Sequence, residues 1–165
     1  VVFGDVNSTL ACSIVSAKLR IPLAHVESGL RSFDRKMPEE VNRIVTDHLS
    51  NLLFSTSDVA VNNLTNEGID PKQVHLVGNV MIDTLVMNQE KISNSEILAE
   101  LDISEGDFDV LTLHRPINVS DSNSLSPILK KFLSPSFQKK VIFPMHPRTR
   151  QTIENSEIIQ KITII

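Results

Sequence analysis

His25-Val-Glu-Ser-Gly-Leu-Arg31, followed by Met37-Pro-Glu-Glu-Val-Asn-Arg43, gathers one histidine, three glutamates and two arginines. Just upstream, residues 21–26 (Ile-Pro-Leu-Ala-His-Val) form a short apolar run that reads as a strand, and Gly29 allows the turn that ends it. Side chains alternate along a strand, so His25 and Glu27 are expected on the same side. Downstream, Pro38 takes the first helical position, where its missing N–H is no loss, with Glu39 and Glu40 in the first turn. The helix over 38–50 then carries Val41, Ile44, Val45, His48 and Leu49 on one stripe, expected to be buried. Glu39, Arg43, Thr46 and Asp47 lie opposite. Strand, glycine turn and helix make one βα unit with ionisable groups at its turn.

Each of these residues also has a structural reading. Acidic side chains in a first turn suit the helix dipole, and Glu39 with Arg43 is an i,i+4 pair worth about 0.2–0.5 kcal/mol. A histidine on an apolar strand is commonly a hydrogen-bonded core residue. The rest of the chain decides between the two readings.

Working outward, strands are expected at 1–3, 23–26, 52–54 and 73–77, and helices at 7–20 and 58–66, the latter stopped by Gly68. In the first of these helices Leu10, Ile14, Ala17 and Leu19 are the expected buried stripe. The βαβα order argues for a parallel, doubly wound sheet, that is, an α/β fold. After Gly78-Asn79 the pattern changes. A helix over 81–92, a polar stretch over 94–107 with a short helix at 96–101, and a turn at Glu105-Gly-Asp107 read as a crossover and boundary, residues 80–108. A second alternation follows in residues 109–165, with strands at 109–113, 141–143 and 162–165 and helices at 124–133 and 151–160.

Composition narrows the function classes. The 165 residues are 41% apolar, enough for a sizeable core, and carry a formal charge of −4. Neither a basic patch nor a basic helix is present, which argues against a nucleic-acid or membrane-surface protein. A single cysteine, Cys12, suits a reducing cytoplasm and is read as a packing residue on its helix. No apolar run is long enough to span a bilayer. The chain opens on Val1-Val-Phe3 and closes on Ile162-Thr-Ile-Ile165, both apolar runs, and so reads as a segment of a longer protein.

The chemistry-bearing residues fall at strand ends. Asp5 follows the first strand, His25 and Glu27 the second, Ser55 and Thr56 the third, Gly78 and Asn79 the fourth. In the second half His114 and Arg115 follow one strand, and His146 and Arg148 follow the next. Ligands of open parallel sheets bind outside these carboxyl ends, and a cleft between the two halves is the expected site. His48 and His75 are read as structural. Asp5, Glu27 and Glu39 are candidates for acid/base work, while Arg43, His114, Arg115 and Arg148 suit an anionic, phosphate-bearing ligand. Neither the P-loop pattern nor G-x-G-x-x-G is present. From residues alone, proton transfer on a phosphorylated substrate is the first reading. A metal-dependent hydrolase using Asp5, His25, Glu27 and His114 is the second.

Five motifs carry a resemblance: Phe3-Gly-Asp-Val-Asn-Ser-Thr-Leu-Ala11, His25-Val-Glu-Ser-Gly-Leu-Arg31, Pro38-Glu-Glu-Val-Asn-Arg43, Val77-Gly-Asn-Val-Met-Ile-Asp83 and Leu113-His-Arg-Pro-Ile-Asn-Val119. In this order they resemble the UDP-N-acetylglucosamine 2-epimerase family, of the non-hydrolysing type, over nearly the whole chain. The resemblance implies two Rossmann-like domains arranged as in GT-B glycosyltransferases. Residues 1–79 would be the C-terminal part of the first domain and residues 109–165 the N-terminal part of the second, so the segment is truncated at both ends. It implies interconversion of UDP-GlcNAc and UDP-ManNAc through a 2-acetamidoglucal, without nicotinamide or metal, in the cytoplasm and as a homodimer. The related hydrolysing type would instead release ManNAc and UDP. Asp5, Glu27 and Glu39 would be the acid/base set supported by Arg43, His114 would assist departure of UDP, and His25, Arg115, His146 and Arg148 would contact substrate. The family's uridine-holding Ser-Gly-Gly-x-Gln-Glu-Glu loop is absent, which implies that the segment alone is inactive; an inactive nucleotide-sugar-binding fragment with weak or no UDP binding is the further alternative.

Overall fold

The computed structural model describes residues 1–119, 121–132, 139–153 and 163–164. It divides into two compact units, Val1–Ile92 and Ser93–Ile165. The expected boundary stretch 80–108 straddles that division.

The first unit alternates β1 (Val2–Phe3), α1 (Asn7–Leu19), β2 (Ala24–Ser28), α2 (Pro38–Leu49), β3 (Leu52–Ser55), α3 (Asp58–Asn66) and β4 (Val74–Leu76), then closes with α4 (Val80–Met87) and α5 (Gln89–Ser93). All four strands are parallel, in the order β1-β2-β3-β4, with Val2 opposite His25, His25 opposite Leu53 and Phe54 opposite His75. When strand order follows chain order, right-handed crossovers bring the connecting helices to one face. His25, Leu53 and Ser55 are buried on that side, while Ala24, Val26 and Phe54 alternate with them and are only half-buried. The expected helix over 81–92 is two helices broken at Asn88, whose side chain donates to the Thr84 carbonyl at 2.8 Å.

The packing between α1 and α2 reverses the expected stripes. On α1 the buried residues are Thr9 and Ser13, whereas Ile14 is 39% and Leu19 65% exposed. On α2 they are Glu40, Asn42, Thr46 and Asp47; Val41 and His48 are exposed and Ile44, Val45 and Leu49 half-buried. The reason is the shortness of the side chains and their satisfied hydrogen bonds. Ser13 Oγ donates to the Thr9 carbonyl at 2.7 Å and meets Thr46 Oγ1 at 3.4 Å, so the two helices approach closely without orphaned polar atoms. Cys12 is exposed on the far side of α1 rather than packed. His48 bonds the Ile44 carbonyl at the surface, and His75 is exposed on β4 with its ring 5.8 Å from that of Phe54.

The second unit contains α6 (Ile97–Glu100), β5 (Phe108–Val110), α7 (Pro116–Val119), α8 (Ser122–Phe132), β6 (Lys140–Phe143), α9 (Pro147–Ile153) and β7 (Thr163–Ile164), with parallel strands in the order β5-β6-β7. Its core is Leu111, Leu125, Leu129, Val141 and Phe143. The strand expected at 109–113 is shorter, although Leu111 N still donates to the Ile142 carbonyl at 2.9 Å. Helix α9 starts a turn earlier than expected, with Pro147 at its first position. The expected helix residues 154–160, residue 133 of the expected 124–133 helix, and Ile162 and Ile165 of the last strand lie outside the described residues.

Candidate functional site

Strand β1 ends at Gly4, whose φ of +60° turns the chain so that Asp5 follows immediately and α1 begins at Asn7. Side chains from α1 and α2 hold this turn. Asn42 Nδ2 donates to the Asp5 carbonyl and to Asn7 Oδ1, both at 2.9 Å, and Thr9 Oγ1 donates to the Phe3 carbonyl at 2.7 Å. Arg43 Nη2 donates to the Asp5 carboxylate, while its Nη1 lies 3.6 Å from Glu40 Oε2. The expected Glu39–Arg43 side-chain pair is therefore replaced, because Arg43 turns toward Asp5 and Glu40. Asp5, Val6, Asn7, Ser8, Glu39 and Asn42 line a hollow of about 410 Å³. It opens where β1 runs out into α1, the end of a parallel sheet at which ligands bind.

Glu27 reaches the same turn by an irregular backbone. The β2–β3 register shifts between Val26 and Ser28, and Glu27 has φ +71°. This bulge takes Glu27 out of the alternation, so it does not share a side with His25 as simple strand geometry predicts. Its Oε2 stands 3.5 Å from where a Cβ on Gly4 would be. Gly29, at φ +80°, closes the strand, and a Cβ there would run into the Ala60 carbonyl.

Two buried carboxylates on α2 that sequence reasoning passed over support this arrangement. Glu40 accepts from the amides of Ser32 (2.9 Å) and Phe33 (2.8 Å) and from Ser32 Oγ (3.0 Å). Burial pushes its carboxyl upward, but those hydrogen bonds and Arg43 outweigh this and hold its pKa below the ordinary 4.5. Asp47 accepts from His25 Nδ1 at 2.6 Å through one oxygen, and from Gly29 N (3.1 Å) and Arg31 Nη1 (2.7 Å) through the other. Arg31 is also held by Glu67 through two bonds of 2.7 Å. Burial opposes its charge, yet the bonds to Glu67 and Asp47 raise its pKa above the usual arginine value.

A group whose folded pKa is lowered adds stability that is complete above its unfolded pKa and disappears as pH falls through the folded one. Glu40→Gln is accordingly expected to cost about 1.5–3 kcal/mol at pH 7. The deficit should shrink as the pH drops below the ordinary glutamate value of 4.5, so that urea melts of the variant and parent converge in acid.

His25 does not face a ligand. It is 0% exposed, sits within β2 rather than at its end, and its Nε2 lies 2.9 Å from the Gly4 carbonyl. With both ring nitrogens engaged inside the protein, the expected substrate contact through His25 gives way to a structural bridge. The same engagement removes it from the alternative metal-ligand set. Among the described residues no group of three or more His, Cys, Asp or Glu side chains is placed to hold a metal ion.

In the second unit His114 and Arg115 follow β5 and are exposed, and His146 is exposed just after β6. Arg148 falls in α9, with its side chain outside the described residues. A larger hollow of about 580 Å³, lined by residues that include Asp107, Lys139 and Lys140, lies where β5 and β6 begin. That is the amino end of the strands, the wrong end for a ligand of a parallel sheet.

Parallel sheets with crossover helices, and carboxylates gathered at a strand's carboxyl end, define a Rossmann-like α/β protein. The chain belongs to the UDP-N-acetylglucosamine 2-epimerase family, whose family model matches residues 1–165. It is 46% identical over 163 residues to a UDP-N-acetylglucosamine 2-epimerase homolog of Methanococcus maripaludis, covering 98% of this chain and 45% of that protein. It is 40% identical over 167 residues to the UDP-2,3-diacetamido-2,3-dideoxy-D-glucuronate 2-epimerase of Pseudomonas aeruginosa, covering 99% of this chain and 46% of that one. Among solved structures, the Methanocaldococcus jannaschii UDP-GlcNAc 2-epimerase in complex with UDP-GlcNAc and UDP superposes with a TM-score of 0.84 at 39% identity. That match covers 99% of this chain and 48% of the other. The chain thus spans about half the length of the relatives it matches. No described helix is long and apolar enough to cross a membrane.

Proposed function

We propose that the whole protein interconverts UDP-N-acetylglucosamine and UDP-N-acetylmannosamine. A carboxylate removes the C2 proton as the C1–O bond to UDP breaks, leaving a C1=C2 double bond in a 2-acetamidoglucal. Protonation of C2 from the other face and return of the UDP oxygen to C1 complete the exchange. Atoms balance without an external oxidant or reductant.

The observation that carries this reading is the grouping of Asp5, Glu27 and Glu39 around the β1–α1 turn, with Arg43 on Asp5. Neighbouring carboxylates whose surroundings differ are what two-sided proton transfer at one carbon requires. In this reading Asp5, Glu27 and Glu39 form the acid/base set and Arg43 orients Asp5. His114, with Arg115, His146 and Arg148, stabilises the departing diphosphate. A homodimer belongs to the same reading.

The test is product analysis by NMR with the protein at the length of its relatives. UDP-ManNAc from UDP-GlcNAc is the expected product. Free ManNAc with UDP would place the protein with the hydrolysing type, and no product would leave a binding protein. The Pseudomonas relative supports a second reading in which the sugar is a UDP-2,3-diacetamido uronate. Turnover of that sugar in preference to UDP-GlcNAc would favour it.

A further inference from the structure

We propose that His25 is a positioning residue for Asp5 and Glu27, acting as a doubly protonated bridge between Asp47 and the Gly4 carbonyl. The proposal rests on the acid/base reading of those two carboxylates. A backbone carbonyl only accepts, so Nε2, 2.9 Å from Gly4 O, carries a proton. The other nitrogen lies 2.6 Å from Asp47 Oδ1. Asp47 Oδ2 accepts from the Gly29 amide and the Arg31 guanidinium, so the carboxylate stands as an acceptor toward His25 as well and Nδ1 carries the second proton.

The charges around the ring close on themselves. Asp47 on α2 faces it directly, Arg31 reaches Asp47 from the loop after β2, and Glu67, just past α3, pairs with Arg31. The neighbouring strands bring only apolar partners in register, Val2 and Leu53. Imidazolium, carboxylate, guanidinium and carboxylate alternate in sign, and the set is neutral, with the Glu67 end 27% exposed.

What the bridge holds is specific. Gly4 O belongs to the peptide bond whose N–H is that of Asp5. Gly29, on the other oxygen of Asp47, lies two residues beyond Glu27 and fixes the end of the bulge. One side-chain pair therefore sets the two turns on which two candidate acid/base groups stand.

Asparagine and glutamine separate the two halves of the bridge. The Asn amide nitrogen reaches about where Nδ1 sits, so His25→Asn keeps the Asp47 bond and loses Gly4. The Gln nitrogen reaches about where Nε2 sits, so His25→Gln keeps Gly4 and loses Asp47. In NMR spectra of the full chain, the parent should show two ring N–H signals from His25. His25→Asn should shift the Asp5 amide and spare Gly29, and His25→Gln should do the reverse. In the whole protein both variants should lower kcat by about 10- to 100-fold through misplacement of the carboxylates. KM for UDP-GlcNAc should stay within about threefold, because substrate contacts are untouched.

A single ring N–H in the parent would overturn the proposal. So would an Asp5 amide indifferent to His25→Asn, or folded variants with unchanged kcat. If the parent itself turned over no substrate, the activity reading would fall, and the ring protons with the amide pattern would still decide the bridge.

Discussion

Asp47→Ala is expected to destabilise the first unit by about 3–5 kcal/mol, the cost of leaving the buried His25 ring and the Gly29 amide without their acceptor. Asp47 is 1% exposed and ties together three separate pieces of chain: His25 on β2, the Gly29 amide at the end of that strand, and Arg31 beyond it. Alanine would leave the buried imidazole nitrogen and the Gly29 N–H without their acceptor. Arg31 would keep Glu67, so its charge is not orphaned and sets no part of the loss. Asp47→Asn should cost less, since the amide keeps the shape and one acceptor. Urea unfolding of the three proteins at neutral pH measures this. A loss below about 1 kcal/mol for the alanine variant would place Asp47 among ordinary surface pairs and would contradict the network.

Asp5→Asn should abolish most of the proton transfer while leaving the fold intact. Removing a positioned acid or base typically costs about 10²–10⁴ in rate. The Asp5–Arg43 pair is partly open to solvent, with side chains 31% and 16% exposed, so its stability contribution should be no more than about 1 kcal/mol. Asn42 holds the turn through the Asp5 backbone carbonyl, which the substitution does not touch. The check is the rate of C2 exchange on UDP-GlcNAc, read beside the urea midpoint. A well-folded variant exchanging within threefold of the parent would remove Asp5 from the acid/base set.

The order of elements was readable because strands and helices in this chain differ in length and punctuation. Pro38 opens α2 at its first position, and Gly29 stops β2, as their backbone preferences require. What sequence could not settle was which stripe of an amphipathic helix faces inward. Residues 40, 43 and 47 of α2 share a face at helical spacing, and so do Val41, Ile44 and Val45. Periodicity marks two faces but does not say which one meets the sheet. Here the polar face won, because short hydroxyl and amide side chains allow α1 and α2 to approach closely and every buried carboxylate finds amides or arginines. The bulge at Glu27 was likewise invisible. A one-residue register shift leaves no pattern in a five-residue strand, yet it decides that Glu27 and His25 part company. The candidate carboxylates were legible as residue types at strand ends. Their supports, Glu40, Asn42 and Asp47, were not, because each acts through backbone groups that only the folded chain brings near.

In the proposed reaction these carboxylates move a proton at C2 of a nucleotide sugar. Incubating UDP-GlcNAc in D2O with the protein at its relatives' full length, and following C2 by NMR, tests it most directly. Deuterium at C2 is expected in both UDP-GlcNAc and UDP-ManNAc. UDP-ManNAc formed with its C2 hydrogen retained would contradict it, as would an unchanged spectrum.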